Sequence, residues 1–172
     1  MKIHTRHGMT HNTNETQNLA CTTPISVEPL NDTEAIASLL FMIEEEKMAM
    51  DVYETLYTQT GLAIFNKIAS SEEKHMEALI NAATKLGVDT SFLSTEVGIF
   101  TNETISTLYE DLIAQGSVST EAALGVGALI EQTDIADLQA IISDNSVTLL
   151  GQVYTHLLTG SEHHLSAFEY YL

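Results

Sequence analysis

Apolar residues recur at three- and four-residue spacing along four stretches of the chain, which is the period of an amphipathic helix. The pattern predicts four long helices, at about residues 31–60, 62–86, 119–143 and from after Asn145 to the C-terminus. Asn31 or Asp32 can cap the first, and Gly61 and Gly87 follow the first two, as is typical of helix ends. No stretch alternates like a strand, so the sequence predicts an all-α protein.

Each predicted helix carries an apolar stripe that we expect to face the core. The stripe residues are Leu39, Ile43, Met50, Tyr53 and Tyr57 on the first helix, Phe65, Ile68, Leu79 and Leu86 on the second, Leu124, Ala128, Leu138 and Ile141 or Ile142 on the third, and Leu150, Tyr154, Leu157, Phe168 and Tyr171 on the fourth.

The connections between these helices predict how they are arranged. Short links join the first helix to the second and the third to the fourth, whereas residues 88–119 form a long link that contains a short amphipathic piece at about 103–114. Short links make antiparallel neighbours, and a long link can travel the length of a bundle. We therefore expect a ferritin-like four-helix bundle, spanning residues 31–172, with one long crossover that contains a short extra helix.

The composition narrows the possible partners. Aspartate and glutamate outnumber lysine and arginine 24 to 6, and the net charge of −18 disfavours binding to nucleic acid or to anionic membranes. Small cations are the natural partners of such a chain.

Residues 1–30 are polar and aperiodic, and we interpret them as a flexible arm. The arm holds His4, His7 and His11, for which a specific metal site is not the expected role. Cys21 is the single cysteine, so no intrachain disulfide can form. The sequence shows no secretory signal and no membrane span, which predicts a cytoplasmic protein.

Carboxylate and imidazole side chains interrupt the apolar stripes near the middle of all four helices. The residues are Glu46, Glu72, His75, Glu131, Asp134 and His164. Burying an unpaired carboxylate costs several kcal/mol, so several of them on core-facing positions require compensating positive charge. A pair of bound divalent cations is the expected source.

The Glu72-x-x-His75 pair shows how such a site is built. Residues three apart project to the same side of a helix, so both side chains can reach one cation. A carboxylate can bridge two cations, whereas an imidazole is a terminal ligand of one cation. This combination of oxygen and nitrogen donors suits iron or manganese and is acceptable to zinc. The pair alone is weak evidence, because a solvated surface pair has the same spacing; the ligand-type residues on the other three helices strengthen the prediction.

The neighbours of these residues leave one alternative open. Glu45 borders a second apolar row and can replace Glu46 as the ligand. We expect Glu44, Glu162 and His163 to be solvated.

Three hydroxyl groups have expected supporting roles. Tyr53 and Tyr154 are interpreted as core residues whose hydroxyls hydrogen-bond a ligand carboxylate. Ser161 is expected to lie near the cluster without being a ligand, because its hydroxyl is neutral.

The same residues carry a family resemblance. Glu46-x-x-Ala49-x-x-x-Tyr53 and Glu72-x-x-His75 resemble the first half of the rubrerythrin and ferritin-like di-iron proteins. More specifically, residues 35–170 resemble a ferritin-like family labelled a domain of unknown function, through segments 45–53, 68–76, 126–138 and 160–168. The resemblance implies a ferritin-like fold and a metal centre. It implies no activity, because that family has no settled activity.

The chain departs from the usual di-iron pattern on its last helix. That pattern has Glu-x-x-His there, and this chain has Ser161-x-x-His164. Asp134, one turn beyond Glu131, can supply the missing carboxylate, so that four negative charges balance two divalent cations. A single-metal site, or a second site that binds weakly, is the alternative.

The leading functional hypothesis is a redox enzyme whose di-metal centre reacts with oxygen or peroxide, and the resemblance to di-iron proteins implies that the metal is iron. A non-catalytic metal-binding or storage protein and a helical interaction module with a structural metal site are the alternatives. The chain has no Cys-x-x-Cys module, which excludes a rubrerythrin-type internal electron relay, and a homo-oligomer stays open.

Overall fold

The computed structural model describes residues 28–145 and 148–172, so the predicted arm, with His4, His7, His11 and Cys21, lies outside the described residues apart from residues 28–30. Five helices make up the described secondary structure, and no described residue is in a strand. They are α1 (Thr33–Thr60), α2 (Ala63–Lys85), α3 (Glu103–Gly116), α4 (Thr120–Asn145) and α5 (Leu149–Tyr171). The all-α prediction is confirmed. None of these helices combines the length and apolar composition needed to cross a membrane.

Local sequence sets several of the helix boundaries. The side chains of three residues accept hydrogen bonds from backbone N–H groups in the first turns of α1, α3 and α5, namely Asp32, Asn102 and Thr148. These caps satisfy donors that have no partner within the helix. Gly61 ends α1 in the left-handed conformation, at φ 69°, and its N–H donates to the carbonyl of Tyr57. Glycine adopts this conformation without steric cost.

The long helices pack as two hairpins, α1 against α2 and α4 against α5. Contacts of α2 with α5 and of α1 with α4 join the hairpins into a four-helix-bundle-like arrangement, and α3 lies against α1 and α4. The buried apolar side chains form two clusters. One surrounds Tyr53, Phe65 and Phe168, and the other contains Leu39 and Leu79. Charged residues near the middle of the four long helices separate the two clusters.

Most of the predicted stripe residues are buried, but two are not. Tyr57 is 39% exposed and Tyr171 is 55% exposed. Both lie in the last turn of their helix. The apolar period continues to the end of each helix, but the surrounding helices do not cover the last turn. The predicted burial of these two residues is therefore wrong.

Glu44 holds the crossover to the bundle. The expectation that Glu44 is solvated is wrong, because its side chain is buried and only 3% exposed. Its carboxylate accepts hydrogen bonds from the N–H and the hydroxyl of Thr101 and from the N–H of Asn102. Glu44 thereby fixes the segment that leads into α3.

A second buried contact fastens the same connection. The Nζ atom of Lys47 lies 2.6 Å from Asp51 Oδ2, donates to the carbonyl of Glu96 at 2.7 Å, and stands 4.4 Å from the centre of the Phe100 ring. Asp51 also accepts a hydrogen bond from the N–H of Gly98 at 2.9 Å. Because these charges are buried and paired, separating the crossover from α1 would leave charged groups without partners.

We predict that Glu44→Ala destabilises the protein by about 2–3 kcal/mol, because it removes three hydrogen bonds to a charged acceptor. For a domain of this size that corresponds to a fall in melting temperature of about 4–12 °C. Thermal melts followed by circular dichroism measure the change. Glu54→Ala, at an exposed position of the same helix, is the matched control. Equal melting temperatures for the two variants would show that the Glu44 contacts contribute little.

Candidate metal centre

The predicted ligands lie in one layer of the bundle, between the two apolar clusters. Five of them are buried, namely Glu46, Glu72, His75, Glu131 and Asp134, and each is at most 7% exposed. His164 is half-buried. Each long helix contributes at least one of these side chains because the apolar stripe of that helix is interrupted at the same level.

Glu72 lies at the centre of this layer, with one carboxylate oxygen directed toward each imidazole. Its Oε2 atom is 2.7 Å from His75 Nδ1, and its Oε1 atom is 2.7 Å from His164 Nδ1. Glu46 Oε2 lies 3.4 Å from His75 Nδ1, and Glu131 Oε2 lies 3.6 Å from His164 Nδ1. The arrangement is therefore nearly symmetric about Glu72.

Two groups of three residues share Glu72. Glu46, Glu72 and His75 form one, and Glu72, Glu131 and His164 form the other. In each group one oxygen or nitrogen atom per residue lies within 4.8 Å of the others, which is close enough for all three to hold one metal ion. Asp134 belongs to neither group.

Several of these atoms are close together but make no hydrogen bond. The Nδ1 atoms of His75 and His164, Oε1 of Glu46 and Oε1 of Glu72 are buried and have no hydrogen-bond partner, although each imidazole nitrogen is 2.7 Å from an oxygen of Glu72. Their close approach lacks the direction that a hydrogen bond requires. Leaving buried polar atoms unpaired is costly, and a cation placed among them would remove that cost.

Without a cation, the charges of the layer compensate one another only in part. Burial alone would raise the pKa of Glu72, but the imidazoles of His164 and His75 lower it to about 2. Burial opposes the charged form of both imidazoles, whereas the carboxylates beside them raise the pKa of His75 to about 10 and that of His164 to about 9.

The remaining carboxyl groups have raised pKa values. Burial is the main cause in each case, and it raises the pKa of Glu131 to about 7 and that of Asp134 to about 6. Burial also raises the pKa of Glu46 well above its usual range and, together with the charges of Asp134 and Asp137, that of Glu45 to about 8. The raised pKa values mean that these carboxyl groups retain protons in the absence of nearby positive charge, and a bound cation would take the place of those protons.

The two tyrosines that were expected to support the site differ. The Tyr53 hydroxyl donates to Glu131 Oε1 at 2.6 Å, as predicted, and its ring packs against Phe65 and Phe168. Tyr154 lies in the other apolar cluster and donates to no carboxylate among the described residues. The expectation for Tyr154 is wrong because Tyr154 lies about two helical turns before Ser161 on α5, which places it outside the charged layer.

Ser161 is placed as expected. It is fully buried, and its hydroxyl donates to Oδ2 of Asp134, while Oδ1 of Asp134 stays without a partner. Glu46 rather than Glu45 approaches His75, which favours Glu46 over the alternative ligand. Oε2 of Glu45 is likewise buried without a hydrogen bond. Glu162 and His163 are exposed, as expected.

Gly160 has a role at the site that the sequence pattern did not predict. A Cβ atom at Gly160 would lie 2.5 Å from His75 Nε2 and 2.6 Å from His75 Cε1, so only glycine leaves room for the ring. At Gly127 a Cβ atom would overlap the ring of Phe168, which packs on Tyr53. At Gly125 a Cβ atom would meet nothing within 4 Å. The only signal in the sequence was a glycine inside a helix, directly before Ser161; its contact with His75 requires the packed structure.

We predict that the metal-free protein becomes less stable as the pH rises from about 5 to about 9. The raised pKa values of Glu131, Asp134 and the two imidazoles mean that the folded state binds more protons than the unfolded chain, so stability is lost as these protons leave. Each net proton corresponds to about 1.4 kcal/mol per pH unit, or roughly 3–5 °C in melting temperature. Thermal melts in chelator across this range measure it.

The lowered pKa of Glu72 acts below this range, since its contribution is lost as the pH falls through the folded-state value of about 2. Glu131→Gln should flatten the pH dependence between about pH 5 and pH 7, while His163→Asn, at an exposed position, should not. A melting temperature that increases from pH 5 to pH 9 would contradict this account.

Comparisons with known proteins identify the family of the chain. An uncharacterized protein of Methanocaldococcus jannaschii, MJ0754, is 39% identical over 141 residues, which cover 82% of this chain and 76% of the relative. The crystal structure of hypothetical protein MJ0754 superposes with a TM-score of 0.78 and covers 81% of this chain and 79% of that chain. The family model described as "Uncharacterized protein domain (DUF2202)" matches residues 35–172. The chain therefore belongs to the DUF2202 family.

Proposed function

We propose that this chain is a ferritin-like di-metal protein that holds two divalent cations, with iron as the favoured metal, in the charged layer of the bundle. The observation that carries the proposal is the pair of three-residue groups that share Glu72 and contain buried ligand atoms without hydrogen bonds. The proposed ligands are Glu46, Glu72, His75, Glu131, Asp134 and His164.

The geometry supports a distinct assignment for each cation. Glu46 and His75 would hold one ion, Glu131 and His164 would hold the other, and Glu72 would bridge them, since its two oxygens face the two imidazoles separately. Four carboxylates, with Asp134 as the fourth, balance the charge of two divalent cations. Asp134 is near enough for its charge to raise the pKa of Glu46.

The topology supports the ferritin-like part of the proposal. In ferritin-like folds a long connection joins two helical hairpins, and the metal ligands project inward from all four helices. The hairpins α1–α2 and α4–α5, with the crossover between them, have this order. Carboxylate and imidazole donors without thiolate suit iron or manganese and accept zinc.

The proposed activity is oxidation at this centre by oxygen or peroxide. Two bound iron ions would supply the redox chemistry, by binding and polarising the oxidant. The chain itself fixes the carboxylates: Tyr53 holds Glu131 in place, and apolar clusters lie on both sides of the layer. Burial of the ligand side chains strengthens the electrostatic interactions in the layer.

We predict that the metal-loaded protein binds two divalent ions per chain and that Glu72→Gln loses both, because Glu72 contacts both groups. Glu46→Gln and Glu131→Gln should each weaken mainly one ion, because each belongs to one group. Isothermal titration with ferrous iron under anaerobic conditions, together with elemental analysis, measures the number and affinity of the sites.

Glu73→Gln is the matched control for the Glu72 variant, since Glu73 is the exposed neighbour on the same helix. A stoichiometry of one ion per chain would support the single-metal alternative. If Glu72→Gln retained two ions with unchanged affinity, Glu72 would not be the shared ligand, and the assignment of both ions to this layer would be wrong.

We predict that the ferrous-loaded protein reacts with oxygen or peroxide faster than ferrous iron in the same buffer. Stopped-flow absorbance of ferric iron formation, in a single turnover with the wild type and with Glu72→Gln, measures the reaction. The Glu72→Gln protein should oxidise iron at the buffer rate, because it lacks the bridging ligand. If the protein bound two ions tightly without faster oxidation, the proposed oxidation activity would be wrong and the function would be non-catalytic metal binding.

A further inference from the structure

A cavity of about 190 Å³ lies between α1, α3 and α4. Most of its wall is apolar and comes from Met48, Ala49, Leu108, Leu112, Leu129 and Ile130. A protein cavity of about 150 Å³ with a similar lining is large enough to bind benzene. The size and lining of this cavity therefore fit a compact apolar molecule.

The polar part of the lining belongs to the charged layer. The acidic residues Glu45, Glu46, Glu72, Glu131 and Asp134 contribute to it. Neither His75 nor His164 lines the cavity. A molecule in the cavity would therefore meet the candidate metal centre from its carboxylate side.

The cavity reaches the molecular surface beside α4. Leu129 is 42% exposed, and Thr133, one turn further along α4, is also exposed. Both residues line the cavity. A ligand from solvent can thus enter beside these two side chains.

The opposite wall is formed by α3, which is held in place near both ends. Leu108 and Leu112 are four residues apart on this helix and so share a face. Glu44 fixes the segment that leads into α3, and a Cβ atom at Gly116 would lie 2.8 Å from Leu56 Cδ2, so the end of α3 sits directly on α1. The crossover thus provides a fixed apolar wall for the cavity.

We propose that this cavity is the substrate pocket of the metal centre and that it binds a compact, uncharged, apolar molecule, such as one aromatic ring or a short hydrocarbon. The substrate role rests on the proposed di-metal function. Anions are disfavoured because carboxylates face the cavity. A hydrated cation would have to give up its water along an apolar wall, which is costly.

Fluorobenzene is a suitable probe, because ¹⁹F NMR reports its binding directly. We expect it to bind the wild type, and we expect benzoate, which has the same ring and a negative charge, not to bind. Leu129→Trp should fill the entrance and weaken fluorobenzene binding by about tenfold or more. Thr133→Trp is a second variant at the entrance. Gln139→Trp, at an exposed position of α4 outside the lining, is the control and should bind as the wild type does.

A second measurement tests whether the pocket lies beside the metals. In protein loaded with paramagnetic Mn²⁺, the ¹⁹F relaxation of bound fluorobenzene should be faster than in protein loaded with diamagnetic Zn²⁺. This difference should disappear in the Leu129→Trp protein, whose metal content is measured in the same samples.

The possible failures are distinguishable. Absence of fluorobenzene binding to the wild type, equal binding of benzoate, or unchanged binding in both tryptophan variants would overturn the pocket while leaving the metal centre untouched. Slower metal uptake by Leu129→Trp, with unchanged fluorobenzene binding, would make the cavity a cation route instead. Fluorobenzene binding by a protein that binds no metal would overturn the di-metal function and the substrate role together.

Discussion

The central constraint on this structure is the burial of Glu72 between two imidazoles, in a layer of buried carboxyl groups that lies between two apolar clusters. Charged groups in such a place must be paired, because solvent cannot compensate them. Glu72 Oε1 lies 2.7 Å from His164 Nδ1 on α5, and His75 Nδ1, on the same helix as Glu72, lies 3.4 Å from Glu46 Oε2 on α1, so a shift of α2 along the bundle would break both contacts at once. The layer thus fixes the register of the helices, and the apolar clusters supply the favourable energy of burial.

The fold was largely predictable because its signals are local and periodic. Caps such as Asp32, the glycines that end helices and the apolar spacing set the elements, and the lengths of the links set their order. The expectation that Glu44 is solvated failed for a physical reason. A stripe assumes that each helix buries one face, but α1 is covered by α2, α4 and the crossover, so that Glu44, Glu45 and Glu46 are all buried although they point in three directions.

The set of residues in the charged layer was also predictable, whereas their contacts were not. Helical spacing places Glu72 and His75 on one face, but it does not tell which oxygen faces which imidazole, since that depends on the relative rotation of α2 and α5. The space for His75 depends on the missing side chain of Gly160, a fact visible only once both helices are in place. Sequence patterns predict which residues share a helix face, whereas the contacts between faces are known only from the packed structure.

The two sides of the charged layer are built differently, and this difference bears on function. On the histidine side, Gly160 and the ring of His75 are in contact, so that α5 closes the layer there. On the other side the carboxylates face a cavity, and its outer wall is the short helix of the crossover. An antiparallel bundle without α3 would leave those carboxylates open to water. The buried contacts of Glu44, Lys47 and Asp51 hold the crossover there, so they maintain a mainly apolar space beside the acidic side of the proposed centre.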